Sequence, residues 1–104
     1  MSIYQTLQST NLPCVYSHFT REQGESVVPP YIAYIGSGQN VFRADDTHYW
    51  SENTYQVEYY YTLKDESKEA AIEKALIDNG FRFEKSEDVF IEDQDIFVIY
   101  YYVN

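Results

Sequence analysis

The chain has 104 residues, 44 % of them hydrophobic and 18 % aromatic, with 12 Tyr, 6 Phe and 1 Trp: enough for one packed core and too apolar for a disordered acidic tail. Seven Lys and Arg face 17 Asp and Glu, a formal charge of −10 with a pI near 4.3, which argues against gripping a phosphate backbone, where affinity comes from cations that displace counterions. Cys14 is the only cysteine, so an internal disulfide is excluded.

The first residues, MSIYQTLQSTNLP, lack the basic start and apolar run of a signal peptide, and no stretch is long and apolar enough to span a membrane; a soluble intracellular protein is expected. Ser2 suits the N-cap of a short helix carrying Ile3, Tyr4 and Leu7. That helix should stop before Pro13, which disfavours helical geometry at Leu12. Cys14 to Phe19 reads as a strand, followed by a polar loop closed by Pro29 and Pro30. Tyr31 to Ile35 is apolar on both faces and is expected in the middle of a sheet. GSGQN, residues 36–40, reads as a turn, and VFRADDTHYW leads into a further edge.

Two tyrosine triplets follow. In the first, Tyr55, Val57, Tyr59 and Tyr61 alternate with Gln56, Glu58, Tyr60 and Thr62, so one face is core and the other is polar but for Tyr60. Next comes the best helical pattern, about residues 67–79, with Ser67 as its cap, Glu69 in the first turn, and Ile72, Ala75 and Leu76 pointing inward. Gly80 should end it in the left-handed conformation, with Phe81 folding back on Leu76. FRFEKSEDVFI then reads as a strand and EDQD as a turn. The closing strand, IFVIYYYV, is apolar on both faces, with Ile96, Val98, Tyr100 and Tyr102 set against Phe97, Ile99, Tyr101 and Val103. The order predicts a single α+β domain over residues 1–104: a twisted, mainly antiparallel sheet with the helices packed on one face.

Little in the sequence looks like chemistry. GSGQNV opens like a phosphate loop but lacks the third Gly and the helix that should follow. Cys14, His18 and His48 are too few and too scattered for a Cys/His metal site. The carboxylate runs at Asp45-Asp46 and in EDQD lack the Gly turn of a Ca²⁺ loop, and no nucleophile-elbow pattern is present. No enzyme activity, cofactor or metal is expected. Base stacking on the tyrosines would call for a positive groove, whereas tyrosine-rich protein contacts would not.

Three stretches carry a resemblance in their order across residues 12–103: LPCVYSHF, PPYIAYIGSGQNVFRADDTHYW and TYQVEYYYTLKDESKEAAIEKALIDNGFRFEKSEDVFIEDQDIFVIYYYV. The chain resembles the small head–tail connector or tail-completion (tail terminator) proteins of siphophages and prophages of Gram-positive bacteria. The resemblance implies a structural virion protein at the head–tail junction, made in the host cytoplasm. It further implies a homo-oligomeric ring, typically a hexamer, between a tail tube protein and a head connector protein, with DNA passing through the lumen. Read in that light, Tyr60, Tyr101, Phe42, Arg43, Asp45 and Asp46 are the expected partner-binding residues. The rival reading is an acidic inhibitor, a DNA mimic that blocks a basic nuclease or restriction enzyme.

Overall fold

The computed structural model describes residues 2–17, 28–43 and 49–104, with the backbone alone for residues 38–43 and 49–53. It is an α+β fold. Helix α1 (Ile3–Gln8) starts from Ser2, which accepts from the Gln5 N–H at 3.1 Å while Gln5 Oε1 accepts from the Ser2 N–H at 3.1 Å. This reciprocal pair satisfies two donors that would otherwise be orphaned at the helix start. Strand β1 (Cys14–Tyr16) is shorter than the alternation suggests, because Ser17 takes a left-handed φ of 71° and turns the chain.

Strands β2 (Tyr31–Arg43) and β3 (Tyr49–Tyr61) pair antiparallel along most of their length. GSGQN is therefore not the turn its glycines suggest. The ladder absorbs it as an irregularity, with the register shifting between Gly36 and Gly38 and the strand continuing to Arg43. Helix α2 (Glu66–Asp78) is capped by Asp65, whose side chain accepts from the Ser67 N–H at 3.0 Å, so Ser67 sits inside the helix rather than capping it. Gly80 has φ +85°, and the Phe81 N–H reaches the Leu76 carbonyl at 2.9 Å while the Gly80 N–H reaches that of Ile77 at 3.1 Å. That is the six-to-one and five-to-two bonding of a left-handed helix end. FRFEKSEDVFI forms two short strands, β4 (Phe83–Lys85) and β5 (Val89–Ile91), both paired with β6 (Ile96–Val103).

The sheet order is β1-β2-β3-β6-β4, with β5 also on β6; only the β1–β2 pair is parallel. Residues paired across neighbouring strands share a face. Ile32, Tyr34, Val57, Tyr59, Tyr61, Ile99, Tyr101 and Val103 all fall on one face, where they pack with Ile3, Leu7, Ile72 and Leu76 of the two helices. Helices cover this face alone among the described residues.

Candidate functional site: the face without helices

The second face follows from the register. Tyr31 pairs with Tyr60, Ala33 with Glu58, Ile35 with Gln56, Glu58 with Tyr100, Gln56 with Tyr102, and Tyr60 with Val98. The triplets thus resolve into opposite assignments. Tyr59 and Tyr61 turn to the helices while Tyr60 turns away, whereas in β6 it is Tyr101 that turns to the helices while Tyr100 and Tyr102 turn away. Tyr101 is fully buried, so its expected place in a partner interface is corrected: it belongs to the core. Its pairing with Val57, itself in the core, decides its side, and neither residue's neighbours along the chain could do so.

On the second face Tyr60 stacks on Tyr31, with ring centroids 4.9 Å apart and planes 24° from parallel. Its phenol O–H donates to Glu58 Oε1, and Gln56 Nε2 donates to Glu58 Oε2 at 3.2 Å. Burial, and then the bond to Glu58, push the Tyr60 phenol far above its ordinary value. Tyr102 is 50 % exposed and Ile35 37 %. The same face also holds Val98, fully buried between Tyr60 and Val89 in the register. Tyr102 borders an open groove of about 390 Å³ with Thr54, Tyr55, Arg82 and Glu84 among its walls.

Beyond the body of the sheet, the six rungs from Gly38–Thr54 to Arg43–Tyr49 have, among the described residues, partners only in each other's strand. At about 3.3 Å per residue this two-stranded ribbon reaches about 20 Å. Phe42 lies opposite Trp50 at its far end, next to the Arg43–Tyr49 rung. Asp45 and Asp46 lie outside the described residues, as do His18 and His48.

The helix side carries the titratable groups that could suggest catalysis. Glu69, 3 % exposed, has Lys64 Nζ at 2.8 Å and Lys85 Nζ at 3.0 Å. Lys85 also reaches Glu73 at 3.1 Å, and Lys64 reaches Asp88 at 2.8 Å. Tyr101 donates to Glu73 and Tyr61 to Asp88. The hydrogen bond from Lys64, then that from Tyr61, hold the Asp88 carboxyl below its ordinary value. Tyr59 has a fully buried hydroxyl with no hydrogen-bond partner, and burial, aided by the nearby Glu69, pushes it up to about 12. Every charge in this seam answers another across the helix–sheet boundary, which is the arrangement of a structural clasp. Cys14 is half-buried, and burial pushes its thiol up to about 11, the opposite of an activated nucleophile. Among the described residues no three His, Cys, Asp or Glu side chains are placed to share a metal ion, and no helix is long and apolar enough to cross a membrane.

Compared with known proteins, the sequence matches no family model and no curated protein. The candidate site therefore rests on geometry. Of the residues expected in it, Tyr60 is on the face without helices, Phe42 and Arg43 are at the ribbon end, and Tyr101 is excluded. Tyr31, Glu58, Tyr100 and Tyr102 were missed. The two alternating sets of β6 were legible, but which set met the helices was not.

Proposed function

We propose that the chain is a non-catalytic structural subunit of a phage particle, assembling as a ring at the head–tail junction on a tail or connector partner. The observation that carries this reading is the one-sided sheet. Both helices pack on one face, while the other presents Tyr31, Tyr60, Tyr100 and Tyr102, the residue type favoured where proteins meet. An isolated two-stranded ribbon is also marginal in water, so the six rungs beyond Gly36 fit a segment that packs on a neighbour. Ring closure brings ten negative charges per subunit together, so the free chain should remain monomeric or weakly associated until a partner offsets them. Like charge would also keep a DNA backbone from adhering to the wall it passes.

The test is light scattering at low and high salt, negative-stain microscopy, and co-purification with the tail tube protein of the same particle. Rings that form on the partner and are favoured by salt support the reading. A chain that stays monomeric with tail tube and head connector proteins at all salt concentrations overturns it. The inhibitor reading is favoured by one observation: the described strands put Glu58 and Glu84 on the open face and no lysine, with Arg82 set at its rim beside Asn104. A tight one-to-one complex with a basic nuclease, and no ring, would select it.

A further inference from the structure

The open face has a centre. Glu58 lies between Ala33 and Tyr100 across the sheet, with Tyr60 and Gln56 on either side of it along its own strand. Ala33 is small, and the stacked Tyr31 and Tyr60 rings lie to one side of the carboxylate. Each carboxylate oxygen already accepts one bond, Oε1 from Tyr60 and Oε2 from Gln56. A carboxylate offers about four lone-pair sites, so one remains on each oxygen.

No cation among the described residues pairs with Glu58, and all four lysines of the chain are spent on other carboxylates: Lys64 and Lys85 on the seam, Lys68 on Asp65, Lys74 on Asp78. The Glu58 charge is felt nearby, since after burial it is the second cause that pushes the Tyr31 phenol up. A half-buried carboxylate with no counter-charge among the described residues, set among aromatic rings, matches one ligand chemistry closely. A guanidinium offers two parallel N–H donors to the two vacant lone pairs and a flat, weakly hydrated face to the rings. An ammonium is a single, strongly hydrated point charge and fits less well.

We propose that Glu58, with Tyr31, Tyr60 and Tyr100, is a receptor for the guanidinium of an arginine presented by a basic partner protein. The charge of the chain selects that occupant. A second copy would bring another ten net negative charges to a chain that already carries ten, whereas a basic partner is drawn to it. The proposal deepens the assembly reading and rests on this face being an interface, but the chain's affinity for the ligand group can be measured without any assembly.

The experiment is an NMR titration of the ¹⁵N-labelled chain at constant ionic strength with N-acetyl-arginine methylamide. The lysine and neutral citrulline analogues serve as comparisons, and Glu58→Gln and Tyr100→Leu as variants. Arginine should give saturable shifts centred on Ala33, Glu58, Tyr60 and Tyr100, lysine weaker ones, and citrulline none. Glu58→Gln keeps the shape and an acceptor for the Tyr60 hydroxyl but removes the charge, and should weaken binding by about tenfold or more. Tyr100→Leu should weaken it with the charge intact. Equal, scattered shifts for arginine and lysine that persist in Glu58→Gln, or no saturable shift at all, would overturn the receptor. Rings that form normally alongside such a negative result would leave the assembly reading in place, while a positive titration with no ring would leave the receptor without it.

Discussion

Tyr101 donates its phenolic O–H to Glu73 Oε2 at 2.9 Å, joining the middle of β6 to the middle of α2 through a side chain with no exposed surface. The bond lowers the cost of placing a tyrosine in the core at that point, since a buried hydroxyl left without a partner is destabilising. Tyr101→Phe should lower stability by about 1 kcal/mol in urea unfolding. Its outward neighbour should behave in the opposite way: Tyr102→Ala should leave stability within about 0.5 kcal/mol of the parent. A Tyr101→Phe chain as stable as the parent would show that the hydroxyl contributes nothing.

Assembly should invert that ranking. Tyr60→Ala and Tyr102→Ala remove rings from the open face and should weaken ring formation on the partner, by about 2 kcal/mol for a true anchor. Tyr101→Phe should assemble as the parent does. Light scattering and co-purification at matched concentrations measure this, and normal assembly by both alanine variants would move the interface elsewhere.

Gly80 tests the helix end. A Cβ built there meets nothing within 4 Å, so any cost of a side chain is the cost of holding φ at +85°. Gly80→Val should destabilise by roughly 1 kcal/mol or more, and Gly80→Asn by less, because Asn tolerates the left-handed region. Equal melting temperatures for the two variants would contradict the strained-backbone account.

Stability should fall at both ends of the pH scale for nameable reasons. Burial first, and then carboxylate neighbours, push Tyr59 and Tyr61 up to about 12, so the folded state holds these protons more tightly than the unfolded chain. Their contribution is complete below about pH 10 and is lost as pH rises through 12. On the acid side, the bond from Ser67 and then that from Lys68 hold Asp65 down at about 2, so its contribution is complete above pH 3.8 and is lost as pH falls through 2. Asp65→Asn keeps a capping acceptor without the titrating charge and should flatten the acid limb. Urea midpoints across pH, with tyrosinate absorbance on the alkaline side, measure both effects.

Cys14 should react slowly. With its thiol pushed up to about 11 by burial, little thiolate exists at pH 8, and alkylation of the folded chain by iodoacetamide should lag well behind that of free cysteine. Unfolding in urea should restore the ordinary rate.

Local signals were enough for the Ser2 start of α1, the Gly80 end of α2, the β3 alternation and the closing strand, because a cap, a left-handed glycine and periodicity are written in adjacent residues. They failed where pairing between distant segments decides. GSGQN has the composition of a turn, yet residues 38–43 lie opposite 49–54 and the ladder carries the strand on. Asp65 and Ser67 are both fitting caps two residues apart, and the sequence does not choose between them. The tyrosine triplets are the sharpest case. Alternation alone puts Tyr60 on the polar side of β3, but both sides of β6 are apolar and only the register against β3 says that Tyr101 faces inward. Glu58 escaped notice for the same reason, since its aromatic neighbours come from three different strands.

The outermost strands of the sheet have a consequence for how such a chain is stored in a cell. β1, β4 and β5 are three residues each, so the rims of the sheet body offer few rungs to a stray strand, and the longer edges, β2 beyond Tyr34 and β3 before Tyr55, lie on the projecting ribbon. Strand-on-strand addition to a tyrosine-rich β protein of this shape is then confined to the ribbon, so whatever covers the ribbon also guards the chain against fibril growth. A partner seated along the ribbon would thus do two things at once, holding a marginal hairpin in place and removing the extended edge that invites stray pairing.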